Sequence, residues 1–263
     1  ARDRGDRRPR GPRGARLDCL NVQLVRSGHA GSAALELAVS HALLTRVAAR
    51  ELPSTLRLYR PGPTVAFGKL DRLRPGFADA VAAAREHGYE PVLRLPGGYA
   101  AAYHGQSVGI DVVWALDDPV PGTHDRFRAE GERLAGALAT LGVDARVGAV
   151  PGEYCPGDYS VNARGRVKLI GTAQRLIRGG ALLGASIIVA DGVGVRAVLR
   201  DVYAALGLEW DDATAGAVGD EVDGVSLAAV EEAVIAAYAP LEPAELDETT
   251  LALARRLEPE RRL

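Results

Sequence analysis

Methionine is absent from this 263-residue chain, lysine and cysteine occur twice each, and there are three phenylalanines and two tryptophans. Each shortage excludes something. Cys19 and Cys155 lie far apart in sequence and build neither a disulfide framework nor a cysteine metal cluster, so no metal site is expected. Two thiols of this kind are simplest in a reducing compartment, and the cytoplasm is the expected location. The chain shows no secretory leader and no apolar run long enough to cross a bilayer. Net charge is also scarce: 32 basic against 34 acidic residues leave −2, with a pI near 6.3. That balance argues against a broad nucleic-acid footprint. With no methionine at position 1, residue 1 need not be the native start.

What remains is ordinary globular composition, 47% hydrophobic and 25% charged, and long enough for a full core. The lysine shortage is the most informative. Of 32 basic residues only Lys69 and Lys168 are lysines. Where charge alone is needed this chain uses arginine, so a retained lysine points to a compact ammonium with a tunable pKa. The bland alternative is a lysine snorkelling from a strand edge.

Along the chain, residues 1–16 are Arg, Gly, Asp and Pro without an aliphatic pattern and read as a disordered tail. Residues 17–25 read as a first strand with Cys19 as a small core residue, and 32–52 as an amphipathic helix. Strands follow at 56–59 and 64–67, a helix at 76–87 closed by Gly88, and a strand at 91–95. Residues 107–114 alternate like a central strand. Residues 123–141 read as a helix with Thr123 as N-cap, and 144–147 as a strand. Helices are expected at 195–206, 226–238 and 243–257. Strand runs mixed with separate helices, uninterrupted by a linker, predict an α+β domain over 17–240 with a helical extension over 241–263.

The chemistry concentrates in residues 152–189. Cys155 precedes Pro156, which pushes it out of helical backbone space. Cys-Pro-Gly-Asp suits a type II turn with positive φ at Gly157. Strands at 159–162 and 166–170 then pair through Ala163-Arg164-Gly165, and a second pair, 174–177 and 181–189, turns at Arg178-Gly179-Gly180. Lys168 and Ile170 share one face. A thiol on a loop and an ammonium on the next strand therefore face one cleft, unless Cys155 is simply a buried structural thiol. Upstream, Pro96-Gly97-Gly98 lets the backbone pass close to a ligand or lets a strand bend. Arg94 before it suits a carboxylate or phosphate, and His104 is either a site acid–base or a hydrogen-bonded structural histidine. Residues 62–70 mimic a phosphate loop, but the spacing is one residue too long and Leu70 stands where Ser or Thr should hold magnesium.

Three motifs together resemble the lipoate–protein ligase A and octanoyltransferase family, which shares the biotin–protein ligase catalytic fold. They are Pro63-Thr64-Val65-Ala66-Phe67-Gly68-Lys69, Arg94-Leu95-Pro96-Gly97-Gly98 with Ala100, and Lys168-Leu169-Ile170-Gly171-Thr172-Ala173-Gln174. The resemblance implies a mixed, largely antiparallel sheet with flanking helices of the class II synthetase-like type. It implies that Lys168 contacts the activated acyl carbonyl, and that Arg94, Gly97, Gly98, Tyr99, His104, Gly171, Thr172 and Gln174 line the substrate. Tyr103-His104 stand one place later than in the family pattern. Cys155, in Glu153-Tyr154-Cys155-Pro156-Gly157, looks most like the branch that moves octanoyl groups between lipoyl-domain proteins through a cysteine thioester. In that branch the glycine cleavage H protein is donor and 2-oxoacid dehydrogenase E2 lipoyl domains are acceptors. No cofactor is then needed. The alternatives are an ATP- and magnesium-dependent lipoate ligase using an acyl-adenylate, and a non-catalytic acyl- or carrier-binding scaffold. The expected state is a monomer acting without nucleic acid or membrane. On this reading Lys168 lowers the thiol pKa, while Glu153 and Asp158 face solvent.

Overall fold

The computed structural model describes residues 22–28 and 30–263. The expected tail, the start of the first strand and Cys19 lie outside the described residues. The chain opens with β1 (Gln23–Ser27) and α1 (Ala33–Ala48), whose N-cap Ser32 accepts from the Leu35 amide. β2 (Thr55–Tyr59), β3 (Thr64–Phe67), α2 (Phe77–Glu86), β4 (Glu90–Leu93), β5 (Ala101–Tyr103) and β6 (Ser107–Ala115) follow. Next come α3 (Thr123–Ala139), β7 (Ala145–Val147), β8 (Val161–Ala163), β9 (Val167–Ile177) and β10 (Gly180–Ile188). α4 (Gly192–Leu206), α5 (Leu227–Tyr238), β11 (Glu242–Ala244) and α6 (Glu248–Leu257) complete it.

Eight strands form one sheet in the order β11-β1-β2-β6-β10-β9-β8-β7. β11, β1 and β2 run parallel, and every pair from β2 onward is antiparallel. A second sheet, β4-β3-β5, carries α2 and α4. The expected mixed, largely antiparallel α+β fold is therefore what forms.

Strand alternation sorts the large sheet into two faces. Val108, Ile110 and Val112 of β6 and Leu183 and Ile187 of β10 pack with Leu134 and Leu138 of α3 and Val230 and Val234 of α5. On the other face Val113 and Leu182 meet Ala38, Val39 and Ala42 of α1.

Four local expectations change. The strands expected at 166–170 and 174–177 are one continuous strand, β9, because β10 pairs it across Gly171 without a break. Residues 243–257 are not all helix: β11 extends the sheet beside β1, and α6 starts only at Glu248, capped by Asp247. The segment 241–263 is thereby built into the same body, with α6 packed on α1. Thr123 is the first helical residue, not the cap. Gly122, at φ 76°, takes that place, and the Thr123 hydroxyl donates to the Val120 carbonyl.

Candidate active site

The α1-side face of the large sheet is stripped of side-chain volume. One cross-strand row reads Tyr59, Gly109, Ser186, Gly171, and the next reads Arg57, Asp111, Gly184, Ala173. Glycine at 109 is obligatory, since a Cβ there would lie 2.2 Å from the Tyr59 ring. Over these small residues sit Leu37 and Ser40 of α1 and Ala66, Ala101 and Tyr103 of the small sheet, leaving a cavity of about 420 Å³. Most of its wall is apolar.

Cys155 stands in that wall with φ of +41°. A left-handed backbone costs a non-glycine residue roughly 1–2 kcal/mol, and surrounding contacts must hold it there. Pro156 does drive Cys155 out of right-handed helical space, but the positive φ falls on Cys155 rather than on Gly157, so the expected type II turn does not form. All three polar handles of the cysteine are gripped. Its N–H donates to the Tyr203 hydroxyl at 2.8 Å, and that hydroxyl donates to the Ala100 carbonyl. Its carbonyl accepts from Lys168 Nζ at 2.8 Å. Its Sγ accepts from Arg94 Nη2 at 3.3 Å.

Arg94 emerges just after β4, and the same Nη2 donates to the Tyr99 carbonyl at 2.6 Å. Its guanidinium meets the Cys155 sulfur. Gly98, at φ of +95°, makes room for this: a Cβ would sit 2.3 Å from Nη2 and 2.8 Å from Sγ.

Lys168 is 2% exposed and spends its ammonium on three partners. Nζ donates to the Tyr154 carbonyl at 2.9 Å and the Cys155 carbonyl, and pairs with Glu153 Oε2 at 3.0 Å. It also lies 4.7 Å from the centre of the Tyr154 ring. Its direct hold is on the backbone of the cysteine loop, whereas Arg94 holds the sulfur. Glu153 does not face solvent. Its side chain is fully buried, because Lys168 neutralises it and its Oε1 accepts the Val150 and Gly157 amides, both at 3.2 Å. Asp158 is exposed, as expected. Burial, then the charges at Cys155 and Glu153, push the Tyr154 phenol well above its usual range and keep it neutral.

Of the sequence-predicted residues, Cys155, Lys168, Arg94, Gly97, Gly98, Gly171, Thr172 and Gln174 all line this one cavity. Gln174 has its carboxamide committed elsewhere: Nε2 donates to the Thr123 carbonyl and Oε1 accepts from Arg126, tying β9 to the start of α3. Tyr99 contributes its carbonyl to Arg94. His104 stands apart. It is buried in the β5–β6 turn, where Nδ1 accepts the Gln106 amide and Nε2 donates to the Asp191 carbonyl, so one nitrogen is taken up by the turn and the other by the start of α4. It does not line the cavity.

Sequence reasoning put Glu153 in solvent and missed Tyr203 and a buried cluster at the other side of the cavity. There Arg57 pairs with Glu36 and with Asp111 Oδ2 at 3.0 Å, and Ser40 donates to the same oxygen at 2.7 Å. Burial raises the Asp111 pKa while Arg57 opposes the rise. An aspartate inside an otherwise apolar strand was the available signal. Among the described residues, no group of three or more His, Cys, Asp or Glu side chains is arranged to hold a metal, and no helix is long and apolar enough to cross a membrane.

The model of the lipoyl protein ligase A/B catalytic domain matches residues 32–239. Similar curated proteins include an octanoyl-[GcvH]:protein N-octanoyltransferase of Geobacillus kaustophilus, 28% identical over 174 residues, covering 66% of this chain and 61% of that protein. Octanoyltransferase LipM of Kyrpidia tusciae is 33% identical over 188 residues, covering 65% of this chain and 67% of the relative. Among solved structures, the bi-partite lipoate protein ligase of Thermoplasma acidophilum matches with TM-score 0.70 at 22% identity, over 92% of this chain and 93% of that one. A lipoate-protein ligase A bound with ATP matches with TM-score 0.67 at 22% identity, over 91% and 94%. These last two likenesses speak for the fold. With a family match over more than half its length and a cavity where the three family-like motifs converge, the chain belongs to the lipoyl protein ligase A/B catalytic domain family.

Proposed function

We propose that this protein is an acyltransferase that moves an octanoyl group between lysines of lipoyl-domain proteins through a thioester on Cys155. One observation carries the reading: a cysteine held in a left-handed backbone, its sulfur hydrogen-bonded by Arg94, in the wall of an apolar cavity. The names of two relatives support octanoyl transfer, one of them from octanoyl-[GcvH] to protein; on this reading the acceptors are other lipoyl domains.

The acyl tail enters the cavity, where each buried methylene contributes ~0.8 kcal/mol toward anchoring the reacting carbonyl. The Cys155 thiolate attacks that carbonyl. The carbon–sulfur bond forms, the carbon–nitrogen bond to the donor lysine breaks, and the departing amine takes up the proton the thiol gave away. An acceptor lysine amine then attacks the thioester. A carbon–nitrogen bond forms, the amine loses a proton, and sulfur leaves as thiolate. Splitting the transfer in two lowers each barrier. Arg94 stabilises the thiolate as attacking and leaving group through its charged hydrogen bond. Lys168 fixes the loop that carries the sulfur and brings positive charge beside the developing oxyanion. The acyl group is already linked to protein, so no ATP is required. The enzyme acts as a monomer in the cytoplasm.

The test is to mix the enzyme with octanoyl-GcvH without ATP and weigh both proteins intact. Wild type gains one octanoyl group, whereas Cys155→Ala gains none and loses about three orders of magnitude or more in transfer. Full transfer by Cys155→Ala would end the thioester reading. AMP release from ATP and free lipoate would favour a ligase instead.

A further inference from the structure

We infer that residues 261–263 are a strap that positions Arg94 against the Cys155 sulfur. These residues lie outside the span 32–239 that matches the family's domain model. The inference needs the Arg94–sulfur contact and does not depend on acyl transfer.

β4 lies at one edge of the small sheet, and Arg94 follows its last residue directly. On the inner side the Arg94 amide donates to the Phe67 carbonyl of β3 at 2.9 Å. On the open side the Leu93 amide donates to the Arg261 carbonyl at 2.8 Å, and Val92 bridges antiparallel to Arg262. The strap thus holds the edge from which the sulfur's hydrogen-bond donor emerges.

It is itself pinned at both ends. Glu258, in the 3-10 turn Glu258–Glu260 before it, accepts from the hydroxyl of Ser32, the N-cap of α1, at 3.1 Å. At the far end the Leu263 carbonyl accepts from Arg85 of α2 at 2.8 Å. Arg94 Nη2 is 3.3 Å from the sulfur, so an outward drift of β4 by about 1 Å ends that hydrogen bond.

The other charged or titratable groups around the sulfur come from elsewhere. They are Lys168 with Glu153, the phenols of Tyr154 and Tyr203, exposed Asp158, and Asp71, whose charge reaches Arg94 and Tyr203. The strap's own cations are paired, Arg261 with Glu260 and Arg262 with Glu258, at 2.7 Å each.

The experiment alkylates Cys155 with iodoacetamide across a pH range and reads the Cys155 peptide by mass, since the thiolate is the reacting form. In a chain ending at Glu260 the midpoint rises by about one pH unit, because a charged hydrogen bond to the thiolate is lost. The melting temperature falls by only a few degrees. In an Arg94→Gln background the same truncation leaves the midpoint where Arg94→Gln put it. Arg261→Gln combined with Arg262→Gln keeps the strap backbone and the wild-type midpoint. An unchanged midpoint in the truncated chain, an equal rise with and without Arg94, or the full rise from the two glutamines alone would overturn the strap. Should the truncated chain not fold, Arg85→Ala releases only the Leu263 end. The inference then requires a rise of a few tenths of a pH unit that Arg94→Gln abolishes, and no rise overturns it. Acylation by octanoyl-GcvH, followed alongside, falls about tenfold or more on truncation. A wild type that shows these midpoints but is never acylated removes the transfer reading and leaves the strap standing.

Discussion

The two faces of the large sheet are made by the same strands and do opposite things. Toward α3 and α5, the alternate residues of β6 and β10 are apolar, among them Val108, Ile110, Val112, Leu183 and Ile187, packed against two helices. Toward α1, the alternate residues are Gly109, Asp111, Gly184 and Ser186, and the space they leave is the cavity. One face is packed for stability, and the other gives up side-chain volume and tolerates buried charge. A single sheet can thus hold an open slot because its far side supplies the cohesion.

That contrast can be broken from either side, starting with the largest effect on folding. Removing one partner of the buried Glu153–Lys168 pair leaves an uncompensated charge on the cavity side, so Glu153→Ala should cost about 3–5 kcal/mol. Urea unfolding of both single variants and the double variant checks this. The double should cost less than the sum, and strict additivity would show that the pair is not coupled. On the packed face, Ile110→Val trims one methylene from a fully buried site and should cost about 0.5–1.5 kcal/mol. Acyl transfer per folded molecule should stay unchanged, although Ile110 lies between two residues of the cavity face. A large fall in transfer would mean that the two faces are not independent.

The smallest effect is at the helix that braces α1. The hydrogen bond from Arg46, then that from the Thr250 amide, holds the Asp247 carboxyl at about 2 instead of 3.8. Because the folded value is depressed, the contribution is present above about pH 4 and disappears as the pH falls through about 2. The melting-temperature gap between wild type and Asp247→Asn should therefore narrow over that interval, and a constant gap would refute the link.

Much of the architecture could be read before the structure was in hand. The α+β class, the hairpin into β10 and, through the family-like motifs, the convergence of Arg94, Gly98, Cys155 and Lys168 were legible in the sequence. What could not be read is who pairs with whom. Glu153 was expected outside because a carboxylate beside a thiol opposes its ionisation. Only the long-range arrival of Lys168 makes burial affordable. Gly171 reads as a break between strands, yet the ladder to β10 carries the chain straight through it. His104 looks like site chemistry because it follows a glycine motif, but its partners Gln106 and Asp191 are set by the turn and by the start of α4. The Asp247–Glu248 helix start was hidden by three residues that pair with β1, a contact no local pattern encodes.

The grip on Cys155 has a consequence of its own. Its amide is held by α4, its carbonyl by β9 and its sulfur by the segment after β4, so Cys155 sits where separate layers join. A bolt through three plates is only as well aligned as the plates. Slight slippage between the small sheet and the large one would carry the sulfur off target while both cores stayed intact. Heat should then silence the proposed acyl transfer several degrees before it melts the protein.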